Sequence, residues 1–268
     1  MPQTINTNLQ SLTAQRNLGT SQASLSTSMQ RLSSGLRINS SKDDAAGLAI
    51  ATRMDAQARG ISVAIRNAND GISMAQTAEG AVATVSDILQ RMRELAVQSQ
   101  NASNGTNDRA NMDTEYQQLS SEITRLAAQT KFNGTAIIGA SAGAQVFQVG
   151  PNNGDTLTLT TTTVTTVGGG LTTAASSSTA LAAIDTQIDA ITTSRANYGS
   201  IINRFGFAIS SLAISGENQT AAKGRIMDAD FAMETANLSR SQILQQAGNA
   251  MVAQANQLPQ QVMALLRN

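Results

Sequence analysis

Apolar residues that return every seventh position constrain this chain more than any other feature. Near its start Leu18, Leu25 and Leu32 are seven apart, with Met29 and Leu36 extending the stripe. Near its end Leu244, Met251, Leu258 and Leu265 repeat the spacing, with Ala247, Ala255 and Val262 beside them. That period returns one side of an α-helix to the same partner every second turn, which is the condition for a coiled coil. Around the second stripe almost everything is Gln, Asn or Ala, so no charge pattern selects the partner. The two stripes stand at opposite ends of 268 residues, and an antiparallel pairing of the ends lets the chain run out and return.

Three further helices are expected between them. After "INSSKDDAAG", where Asp43 and Asp44 suit a helix N-terminus, Ile61, Ile65, Ala68, Ile72, Ala75, Val82, Leu89 and Met92 share one side. The turn-rich "SQNASNGTND" interrupts, and Met112, Tyr116, Leu119, Ile123 and Leu126 then alternate spacings of four and three, with "KFNGT" ending that helix. From Leu181 to Leu212 the same rhythm continues over about 48 Å at 1.5 Å per residue. Arg195 is the polar member of that row, placed to set register or to snorkel. In the middle, "AQVFQVG" and "TLTLTTTTV" alternate with period two around "PNNGD", predicting a β-hairpin. "GGG" and "AASSST" follow as a flexible linker, so residues 139–178 form a hairpin and linker that tolerates insertion near Gly169. The expected fold is mainly α, a long antiparallel helical rod and coiled coil with a small β-hairpin region. Residues 1–44 with 228–268 form its terminal coiled-coil domain, and 45–227 the rod.

Composition narrows the function. Aromatics are 3% and Trp is absent, so the core is built from Ala, Leu, Ile and Met, which suits packed helices. The lack of Cys and His removes Ser-His-Asp and Cys-His catalysis and the usual His/Cys metal sites. With 18 basic and 18 acidic residues and no basic stripe, nucleic acid is not a partner, and no apolar run is long enough to cross a membrane. The start has no basic segment leading into an apolar one, so no ordinary secretory leader is expected. An enzymatic reading rests on Asp228, Asp230 and Glu234, of which the last two share a helix face at a spacing suited to a metal or an acid-base pair. Ion pairing with the flanking Arg225 and Arg240 is the simpler account, so no catalytic residue, metal or cofactor is assigned.

The stretches "INTNLQSLTAQRNL", "LSSGLRINSSKDDAAGLAIATRM", "LQRMRELAVQSQN", "KFNGT", "RIMDADFAMETANLSRSQILQQAG" and "ANQLPQQVMALL" resemble bacterial flagellin. They stand in order over roughly the first 135 and last 75 residues. The resemblance implies a structural subunit, exported unfolded by the flagellar type III apparatus, that polymerises outside the cell into a motility filament. Its implied partners are other copies of the chain, junction and cap proteins and an export chaperone. A hook-filament junction protein shares the same terminal plan and is the alternative. The short middle leaves no room for the outer domains of longer relatives. "NRFGFAISS" departs from the family, where polar residues are common at the places of Gly206 and Phe207. "QRMRELAVQ" resembles the segment that vertebrate Toll-like receptor recognition reads, which puts Arg91 and Leu95, with Glu115 across from them, on a receptor-facing surface. Residues 1–44 and 228–268 are expected to become helical on assembly.

Overall fold

The computed structural model describes residues 7–139 and 142–265, with side chains through Gln257. In chain order the described elements are α1 (Leu9–Ser34), α2 (Ala45–Ser99), α3 (Thr106–Gln129), β1 (Lys131–Phe132), β2 (Thr135–Ala136), β3 (Ala144–Gln148), β4 (Thr156–Thr160), α4 (Ala174–Met227) and α5 (Phe231–Leu265). The fold is mainly helical with two small antiparallel strand pairs. The chain divides into two compact units, Met1–Ala56 with Gln219–Asn268, and Gln57–Asn218. The divisions fall inside α2 and α4, away from residues 44/45 and 227/228 where the change of pattern was expected.

In the first unit α1 begins under Asn8, whose Oδ1 accepts from the Ser11 amide, and ends at Gly35 in the left-handed conformation (φ 71°). The chain past Gly35 is tied to the α4–α5 junction. The Arg37 amide donates to the Met227 carbonyl at 2.6 Å and the Ala229 amide to the Gly35 carbonyl at 2.9 Å, around a Leu36–Asp228 bridge. Leu36 therefore lies beyond α1 and is not part of its stripe. The two aspartates expected at the start of α2 divide the work. Asp44 accepts from the Gly47 amide at 2.9 Å, while Asp43 accepts from the Asn39 and Ser40 amides and the Ser40 hydroxyl. Those bonds hold the Asp43 carboxyl below its ordinary pKa, the Ser40 amide contributing most.

The second unit has a core of large side chains. Ala68, Ala75, Val82, Leu89 and Met92 of α2 bury themselves with Met112, Tyr116 and Ile123 of α3 and Ile184, Ile191, Tyr198 and Phe205 of α4. The periodicity of the sequence placed most of these on the correct faces. Arg195 stands outside the buried row, where Ser194 takes the inward position, and its guanidinium reaches Glu79 of α2 at 3.1 Å. Arg93 pairs likewise with Asp185 at 2.7 Å, so α2 and α4 run antiparallel here with exposed ion pairs along their edge. "KFNGT" does more than end α3. Asn133 (φ 48°) and Gly134 (φ 80°) form a tight turn between β1 and β2, the two-residue Asn-Gly hairpin signal.

The β3–β4 hairpin pairs Ala144 with Thr160 through Gln148 with Thr156. It rests on the helices through Phe147, edge-on to Phe205 at 5.6 Å, and through Asn67, whose amide donates to the Gln148 carbonyl. Gly71 is required beneath this contact, since a Cβ there would stand 2.7 Å from Phe205. The expected linker is corrected by the structure. Residues 161–173 are packed as an extended strap, with Thr161, Val164, Val167 and Leu171 buried, and α4 starts at Ala174 inside "AASSST". The period-three burial of Val164 and Val167, masked by a Thr-rich composition, explains why the stretch reads as a linker. Its backbone is held by side chains from all three helices. The Thr162 amide donates to the Tyr198 hydroxyl, the Leu171 amide to Asp113, the Gln117 amide group to the Gly169 carbonyl, and the Ser99 hydroxyl to the Leu171 carbonyl. A three-residue Gly/Ser insertion after Gly169 is therefore expected to lower the melting temperature of this unit by several degrees, each lost kcal/mol being worth about 2–8 °C. The same insertion after Asn153, in the exposed hairpin turn, should leave it unchanged; thermal melts of the two variants check this.

Candidate functional site

The surfaces most unusual for a folded chain belong to the α1–α5 pair. Inward positions of α1 follow intervals of three and four through Ser11, Ala14, Leu18, Ser21, Leu25, Ser28 and Leu32. On α5 they are Leu238, Ser241, Gln245, Gly248, Val252 and Ala255. One side of the seam thus alternates leucine with serine or alanine, while the other repeats Ser241, Gly248 and Ala255 at seven-residue intervals. Small residues let the helices close in, and their Cα atoms come within 8 Å of one another along the pair. Leu18 fills the place opposite Gly248, where a Cβ would lie 3.1 Å from its Cδ1. The pairing is antiparallel. Asn8 donates to the Ala255 carbonyl at 2.7 Å and Ser11 to Asn256 at 2.8 Å at one end, and Arg31 faces Glu234 at 3.9 Å at the other.

This seam is not the one the leucine spacing suggested on α5. Leu244 and Met251 each lie three residues past an inward position, about 60° round the helix, and are 50% and 65% exposed. Leu244 borders a groove shared with Thr20, Ala23 and Thr27 of α1. Met29 is also turned outward, at 58% exposure, whereas Leu18, Leu25 and Leu32 are half-buried on the inner face. The side chains of Leu258, Val262 and Leu265 lie outside the described residues. Small residues at period seven were the signal that sequence reading passed over. Packing favours them because a small-residue row permits the closer approach, which leaves the large residues outside. Leu9, Leu12, Phe231, Met233 and Ile243 are likewise exposed, so most of the exposed large apolar side chains among the described residues belong to this unit.

The receptor-like residues separate. Arg91 is exposed and donates to Glu115 at 2.9 Å and to Glu94 at 3.0 Å, joining α2 to α3. These bonds, that to Glu115 first, raise its pKa. Leu95 is 2% exposed and belongs to the core with Met92 and Met112. It points inward on the α2 face and is corrected from a surface anchor to a packing residue. The acidic group is also resolved. Asp230 caps α5 by accepting from the Ala232 and Met233 amides, and Glu234 is buried facing Arg31 rather than Arg225 or Arg240. Among the described residues no group of acidic side chains is gathered to hold a metal ion.

The N-terminal helical region of bacterial flagellin matches residues 5–142, and the C-terminal helical region matches 181–266. The chain belongs to the flagellin family. The two matched regions contain α1 to α3 and α5 with most of α4, and leave between them the stretch that carries β3, β4 and the strap. A flagellin of Halalkalibacterium halodurans is 44% identical across 98% of this chain and 99% of its own length. One from Xenorhabdus nematophila is 38% identical over the full length of both. In structure the chain is similar to Bacillus cereus flagellin, at 33% identity with a TM-score of 0.51, over 55% of this chain and 88% of that one. It is a flagellar filament subunit, an extracellular structural component that associates with its own copies, and no described helix is long and apolar enough to cross a membrane.

Replacing Gly248 by Val is expected to force α1 and α5 apart and abolish their pairing, whereas Leu244→Ser should leave it intact. Hydrogen exchange in α1, measured on each variant incorporated as a minor fraction into wild-type polymer, distinguishes them. Leu95→Ala should cost about 2–5 kcal/mol of stability in the second unit, read by denaturant titration.

Proposed function

We propose that assembly is the whole biochemical activity of this chain, and that the outward apolar side chains of the α1–α5 pair are its principal contacts with neighbouring copies. The observation that carries this reading is the exposure of Leu244 and Met251, which repeat at seven residues on a helix whose inner seam is already occupied. Seven-residue recurrence presents a continuous stripe to another helix, and heterologous contacts that do not close on themselves generate helical polymers. Enzymatic action has no support from the acidic group, whose members are used in a helix cap and a buried pair.

The same surface supports the finer readings. Export through the flagellar type III apparatus would deliver the chain before this stripe is covered, and an export chaperone would shield it until then. Junction and cap proteins would meet it at the ends of the polymer. Apart from Glu234 the fully buried residues of the α1–α5 pair are small, and its inward leucines are only half-buried, so its helices gain little from pairing alone, and residues 1–44 and 228–268 order when neighbours cover them. For the Toll-like receptor, the exposed Arg91–Glu115 pair supports a surface site, with Leu95 acting only through the shape of α2. Arg91→Ala in verified monomer should then weaken recognition.

Seeded growth followed by electron microscopy tests the central claim. Wild-type chain should extend tubes, and chain ending at Ala247 should not, while both retain the same melt of the second unit. Protection of the amides of Leu244 and Met251 is expected in the polymer alone; equal protection in free monomer would remove the coupling of order to assembly.

A further inference from the structure

Phe207 is 76% exposed, the most exposed large apolar side chain among the described residues, and nothing in its own unit covers it. Seven residues on, Ile214 is 59% exposed, so the two share one face of α4 separated by two helical turns, about 10.5 Å. Ser210 and Ser211 stand between them, and Gly206 beside the ring opens onto empty space, so an approaching surface meets backbone as well as ring. Arg204 and Glu217 are exposed near the two ends of the patch. The inward face of the same helix is already filled by Phe205 and Ile201, so the outward pair adds nothing to the fold of this unit.

The size of the patch decides what covers it. A phenylalanine and an isoleucine together bury a few hundred square ångströms at most, far below the roughly 1,200 Å² that a stable two-body interface needs. A lone dimer held by this face would not persist at ordinary concentrations. In a filament subunit, however, each copy is fixed to its neighbours by other contacts, and a small apolar contact then adds its full increment without a separate cost of association. We propose that Phe207 and Ile214 form a lateral contact with a second copy of this chain, distinct from the α1–α5 stripe, that strengthens the polymer without making a dimer. The proposal rests on the filament-subunit reading and adds a named contact on the second unit.

Polymerisation of the full chain from sheared filament seeds, with the critical monomer concentration as readout, tests it. Wild type, Phe207→Ser, Phe207→Leu and the double variant Phe207→Ser with Ile214→Ser are compared. Phe207→Ser is expected to raise the critical concentration about ten-fold, as loss of one buried aromatic implies, and the double variant to raise it further. Phe207→Leu should recover most of the wild-type value. All four monomers should show the same thermal melt and sediment as single chains. An unchanged critical concentration in the double variant, while wild type polymerises, overturns the contact. A lowered melt of Phe207→Ser monomer also overturns it, because the ring would then serve the fold. A wild-type monomer that dimerises, with the dimer lost in Phe207→Ser, would replace the lateral contact by a two-body one. Failure of wild type to extend seeds would count against the assembly reading instead.

Discussion

A row of serine, glycine and alanine sets how closely α1 and α5 approach, and the character of the terminal unit follows from that spacing. Because Ser241, Gly248 and Ala255 face α1, Leu18 can reach toward the α5 backbone and the seam closes without large residues on both sides. A seam of this kind removes little apolar area from water, at about 25 cal/mol per Å². It needs polar bonds at both ends, from Asn8 and Ser11 to the α5 end and from Arg31 to Glu234, to fix its register. The small row also leaves Leu244 and Met251 beside the seam and largely exposed. One choice of residues therefore weakens the pair as an isolated object and equips it with a second apolar face.

The second unit is built on the opposite principle. Tyr116, Tyr198 and Phe205 are fully buried, and the strap of residues 161–173 is bound by bonds from three helices. This unit buries many large side chains completely, whereas those buried in the α1–α5 pair are mostly small. Its exposed ion pairs, Arg93–Asp185 and Arg195–Glu79, add little energy singly but admit one antiparallel register of α2 and α4. Local stability thus differs along the chain in the way an assembling subunit requires. One unit is closed around large buried side chains, and the other leaves large apolar side chains exposed.

Periodicity made the helices and their inward faces legible wherever large residues carried the pattern. Ile184, Ile191, Tyr198 and Phe205 announced the α4 face, and alternation on either side of "PNNGD" announced β3 and β4. Reading failed where small or polar residues took structural roles. Ser11, Ser28 and Ser241 are buried in the α1–α5 seam, yet hydroxyl residues in a Ser-rich chain look like surface. The strap was obscured in the same way, since threonines flank the valines that bury it. Leu95 shows the converse error, in which a residue type suited to an interface centre was assigned outward although the α2 period turns it inward. The family resemblance located the functional stretches but carried no information on which face of each helix they occupy.

The contact proposed for the outward α5 stripe gives its amide-rich surroundings a physical reason. In a helical polymer the contact repeats at a fixed displacement and joins two different faces, so a charge on one face is buried unpaired at every repeat unless the other face carries its opposite. Repeated along the assembly, such unpaired charges destabilise it, and low dielectric at a closed interface enlarges the effect. Gln246, Asn249 and Gln254 avoid this, because an amide both donates and accepts and is satisfied equally by water or by a neighbour's amide. Arg240, exposed four residues before Leu244 and lining the same groove, is the one charge beside the described part of the stripe, and the amides carry the rest of its hydration. Glu234 is the instructive exception, since it is buried with an arginine of its own chain and so needs no counter-charge from another copy. With the Glu234 carboxylate held inside the subunit and amides predominating around Leu244 and Met251, the contact proposed there would let one surface serve both the free and the polymerised chain.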